Sequence, residues 1–82
     1  MTRSLEPESL DLAEIATFLR GACGPTVEGA IVGRTRMRDE VVRHLRCSQL
    51  EAETVVDTMV GRGFLVRREQ AGELVEWVIA TP

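Results

Sequence analysis

Residues 35–79, TRMRDEVVRHLRCSQLEAETVVDTMVGRGFLVRREQAGELVEWVI, carry the punctuation that decides the fold. Thr35 opens a helical pattern, Cys47-Ser48-Gln49 interrupts it, and Ser48 opens a second that stops at Arg62-Gly63. From Phe64 to Ile79 the chain alternates as two short strands do. The spacing predicts helices over 36–46 and 49–61 and strands over 64–68 and 73–79. Ser48-Gln49-Leu50-Glu51 fits a capping box, in which hydroxyl and carboxylate each satisfy a backbone N–H left free at the helix start.

Periodicity then assigns the faces. On the first of these helices Met37, Val41, His44 and Leu45 share one side, with Arg36, Asp39, Arg43 and Arg46 turned away. Asp39 stands four residues before Arg43, and Arg36 four before Glu40, so two local ion pairs are expected there. On the second helix Ala52, Val55, Val56 and Met59 project to one face. The opposite face carries Glu53, Thr54 and Asp57, flanked by Glu51 and Thr58 and joined by Leu50. With Glu69-Gln70-Ala71-Gly72 as the connection, the strands pair with Arg68 opposite Glu73, Val66 opposite Val75 and Phe64 opposite Trp77.

Upstream, a helix is expected over 7–20, opened by Pro7 in its first turn or by Ser9 as a cap and ended at Gly21. Leu12, Ile15, Ala16 and Leu19 give it one apolar stripe. Cys23-Gly24-Pro25 breaks helicity, and residues 27–32 read as a short strand able to pair with the C-terminal hairpin. The fold class is therefore α+β, three helices with a small antiparallel sheet of two or three strands, in a single domain spanning 1–82.

Composition bounds the function. No segment approaches the roughly 18 consecutive apolar residues of a membrane span. Met1 to Pro7 lacks the basic and then apolar pattern of an export signal, so a cytoplasmic location is expected. Net charge is −3, unlike a globally basic nucleic-acid binder, yet residues 34–48 hold five arginines (Arg34, Arg36, Arg38, Arg43, Arg46) against two carboxylates. Cys23, His44 and Cys47 are one ligand short of a zinc site and better read as core or edge residues. One histidine without a strand-end nucleophile argues against catalysis, and the glycines form no phosphate cradle. No enzyme, metal, cofactor or small-molecule substrate is expected.

The run Val55-Val56-Asp57-Thr58-Met59-Val60-Gly61-Arg62-Gly63-Phe64-Leu65, within Ser48 to Leu65, resembles the winged-helix branch of helix-turn-helix proteins, a fold of many small transcription regulators. More loosely the resemblance extends from Leu10 to Ile79. It implies that Gln49, Glu51, Glu53, Thr54, Asp57 and Thr58 form the surface that enters a DNA groove and that 67–73 is the wing tip. Winged helices also serve as protein-docking and dimerisation modules, so the fold alone does not fix the role.

Two functional expectations follow. The first is a DNA-binding regulator with an unusually acidic recognition helix, gripping duplex DNA through Arg34, Arg36 and Arg38, the wing residues Arg67 and Arg68, and the neutral donors Thr54 and Thr58. DNA carries about one negative charge per 1.7 Å of axis, so Glu51, Glu53 and Asp57 on the inserted helix oppose this. The second expectation is a protein-interaction or dimerisation module, with Leu50 at the centre of an acidic rim of Glu51, Glu53 and Asp57, meeting a basic partner or a second copy.

Overall fold

Asp11 caps the first helix: its carboxylate accepts from the Glu14 N–H at 3.1 Å, and α1 runs Leu12–Cys23. The computed structural model describes residues 10–80, apart from the side chain of Glu73, so Pro7 and Ser9 lie outside the described residues. The helix passes through Gly21 and ends where Gly24 takes a positive φ of 90° and returns its N–H to Arg20. Two glycines competed as the stop, and the one followed by proline prevails.

The expected strand over 27–32 shortens to β1, Thr26–Glu28, and Ile31 and Val32 turn out to begin a helix, with α2 spanning Val32–Leu45. Turn chemistry overrides the β-branched pair. Gly29, at φ 97°, bends the chain away after donating to the Val75 carbonyl, and it then accepts from Gly33. Gly33 lets α2 seat on the end of β1, because a Cβ there would stand 2.7 Å from the Glu28 carbonyl oxygen. Arg46, in the left-handed region, closes α2, and the capping box at Ser48 starts α3, Gln49–Gly61, over the span that the sequence predicts.

After Gly63 the chain forms β2, Leu65–Glu69, a short 3-10 turn over Ala71–Glu73, and β3, Val75–Ile79. The three strands make one antiparallel sheet in the order β1-β3-β2. The hairpin register departs from expectation by three residues: Arg68 faces Glu76, Val66 faces Val78 and Arg67 faces Trp77. A longer connection causes the shift, since Gln70 donates to Leu74 across the turn and Gly72 supplies a positive φ inside it. Because three is odd, the faces exchange: Leu65 rather than Phe64 enters the core, and Val66 lies exposed.

The core lies between the helices and the inner face of the sheet. Leu12, Ile15, Ala16 and Leu19 of α1 meet Met37 and Val41 of α2, Ala52, Val55, Val56 and Met59 of α3, and Val27, Leu65, Trp77 and Ile79 of the strands. The stripes read from periodicity on α1 and α3 are the buried ones. Trp77 also donates its indole N–H to the Ala30 carbonyl, tying β3 to the start of α2.

Candidate functional site

Two groups of side chains that would invite opposite partners meet in this fold. Arg34 reaches Asp57 and stands 3.6 Å from Glu53, while Arg38, one turn later on α2, reaches Glu53 at 3.4 Å. These contacts put the Arg34 to Arg38 turn of α2 beside the Glu53 to Asp57 turn of α3. Arg38 also donates to Asp39 through Nε at 3.1 Å and Nη2 at 2.8 Å. That hydrogen bond is the main reason its guanidinium pKa is pushed up still further.

The local pairs differ from expectation. Asp39 binds Arg38 rather than Arg43, Arg43 reaches back three residues to Glu40 at 3.0 Å, and Arg36 has no ion-pair partner among the described residues. Glu40 suits Arg43 because helical neighbours three apart also share a face. The expected donors Thr54 and Thr58 turn their hydroxyls onto their own helix, to the carbonyls of Leu50 at 3.2 Å and Thr54 at 2.9 Å. Glu51 folds back to cap the Ser48 N–H at 3.0 Å.

Arg67 and Arg68 do not act together. Successive strand residues point to opposite faces, so Arg68 lies on the outer face, bound through Nε to Glu76 at 2.9 Å, and Arg67 on the inner face, 3.9 Å from Glu69. Glu76 also faces Glu28 across β1, so Arg68 is the cation that offsets two neighbouring carboxylates. Of the expected site residues, the structure brings together Arg34, Arg38, Glu53 and Asp57, while Arg36 stands apart and Arg67 and Arg68 diverge.

The exposed aliphatic side chains were not singled out by the sequence, Leu50 excepted. Leu50 is 79% exposed at the start of α3. Ile31 at 80%, Val32 at 76% and Leu74 at 64% are the others with most of their surface in solvent. Leu74 lines a concavity in which Glu28, Gly29 and Ala30, the residues just before Ile31 and Val32, form one wall and Gln70, Leu74 and Val75 form the other, around a volume of about 350 Å³. It continues along the inner face of the hairpin past Arg67 and Glu69, which share Gln70 and Val75 with it. The signal that could have revealed this was Gly29 as a turn; with it, Ile31 and Val32 become a helix start on the surface.

At the opposite end of α2 His44 stacks on Phe18, with ring centroids 3.9 Å apart, and its Nε2 lies 2.8 Å from Glu14. Cys23 and Cys47 are free thiols, each with its pKa raised chiefly by burial. Among the described residues no three His, Cys, Asp or Glu side chains are grouped to hold a metal ion, and no helix is long and apolar enough to cross a membrane. Comparison with protein-family models, with curated proteins and with solved structures returned no match.

Proposed function

We propose that this chain is a protein-interaction module on a winged-helix scaffold, with β2 and β3 as its wing. The observation that carries the reading is mutual neutralisation: Arg34 and Arg38, the cations best placed to meet phosphate, are engaged by Glu53 and Asp57 of the helix that would enter the groove. DNA binding draws its affinity from uncompensated cations that displace counterions, and each arginine held by a carboxylate supplies less of that drive. Exposed aliphatic side chains at the start of α2, Ile31 and Val32, and in the wing, Leu74, favour a protein surface instead. The test is titration of mixed-sequence duplex DNA at low ionic strength. The expected result is no saturable binding; saturable binding whose affinity drops steeply as salt is added overturns the reading.

A DNA-binding regulator is the second reading, supported by the three-helix and three-stranded layout and by Arg36, Arg46 and Arg62, which have no ion-pair partners among the described residues. On this reading Glu53→Gln with Asp57→Asn frees Arg34 and Arg38 and raises affinity for duplex DNA. Variants that leave a measurable DNA affinity unchanged count against it.

A further inference from the structure

We propose that the concavity between the inner face of the hairpin and the start of α2, lined by Leu74 and bordered at its 28–30 wall by Ile31 and Val32, is the surface through which two copies of this chain associate about a two-fold axis. The inference deepens the protein-interaction reading by naming the partner. Leu74, 64% exposed, lines a groove of about 350 Å³, and Ile31 and Val32, 80% and 76% exposed, directly follow its wall of Glu28, Gly29 and Ala30. Singly scattered exposed aliphatics are ordinary, whereas a group around one concavity marks a contact surface.

The charges at its edge select a second copy over an unlike partner. Along the groove Arg67 and Glu69 sit side by side, 3.9 Å apart and both largely in solvent, with Glu28 on the facing wall. A two-fold axis presents the same patch to itself, so a rim must hold both signs to be complementary. This one does: Arg67 of one protomer has Glu28 and Glu69 of the other as available partners.

The start of α2 differs from those of the other two helices. No side chain caps this helix and its first turn contains no acidic residue, although α1 and α3 both have caps and an acidic first turn. A carboxylate there would favour the isolated helix by its interaction with the free N–H groups. Ile31 and Val32 occupy these positions instead.

The experiment is sedimentation of the full chain over a wide concentration range, with Val32→Glu and Leu74→Glu as variants and circular dichroism as the check on folding. The wild type is expected to pass from one-chain to two-chain mass as concentration rises. Val32→Glu is expected to weaken association at least about tenfold while leaving the thermal midpoint of the dilute protein unchanged or higher. Should Leu74→Glu disturb the hairpin, Arg67→Glu is the second probe, and exchange of both signs in Arg67→Glu with Glu69→Arg is expected to restore association. A wild type with one-chain mass at every concentration overturns the proposal, as does a dimer indifferent to both Val32→Glu and Arg67→Glu. A one-chain mass together with the absence of DNA binding overturns the dimer alone, whereas salt-sensitive DNA binding by a dimer overturns the interaction reading alone.

Discussion

Arg46 holds a backbone conformation that its side chain does not favour: φ 52° and ψ 47°, in the left-handed region, where glycine is the usual occupant after a helix. Arg46→Gly is therefore expected to raise stability by about 1 kcal/mol, seen as a higher urea midpoint with unchanged slope. Arg68 carries the opposite prediction. It is the cation beside Glu76, whose side chain is only 10% exposed and faces Glu28 across the sheet. Arg68→Met leaves the two carboxylates facing one another, and a loss of about 1–3 kcal/mol is expected by the same measurement, largely recovered by adding Glu76→Gln. At Cys23 and Cys47 burial holds the thiol pKa above its ordinary value, so less thiolate exists at neutral pH than in a free cysteine. Alkylation of the native protein is expected to be slow at pH 7 and to accelerate as pH rises beyond 9, whereas the urea-unfolded chain reacts readily.

Among the elements, α3 was the most legible because cap, stripe and stop agree: Ser48 with Glu51, the run Ala52, Val55, Val56 and Met59, then the break at Gly63. Removing the reciprocal cap in Ser48→Ala is expected to cost about 1 kcal/mol of stability, measured by thermal denaturation. Elsewhere several local signals competed, and only tertiary contacts decide between them. Gly21 and Gly24 both suit a helix end, and the Gly24 N–H return to Arg20 selects the second. Ile31 and Val32 favour a strand by propensity, yet the Gly29 turn and the seat of Gly33 on Glu28 make them helical. The hairpin register rests on the Gln70 to Leu74 closure and the positive φ at Gly72, and alternation alone is satisfied by more than one pairing. The candidate site suffered most, since its ionic contacts join α2 to α3 across 15 to 23 residues of sequence. No pattern within either helix shows that the other's charges stand opposite. β2, an edge strand, bears Arg67, Arg68 and Glu69, charges that discourage indiscriminate pairing along its open side.

Among the described residues three α-helices and three strands enclose an apolar core, and the net charge of the chain is −3. The apolar concavity at the hairpin and the charged crossing of α2 and α3 ask for different measurements: mass for the first, salt response for the second. The crossing has a consequence at long range. Where Arg34 and Arg38 lie within a few ångströms of Glu53 and Asp57, their fields largely cancel beyond the roughly 8 Å over which physiological salt lets charges be felt. An approaching polyanion therefore meets little attraction from these four side chains until it is close. On the proposed interaction reading, nucleic acids pass this face without being drawn in, and short-range shape decides what stays.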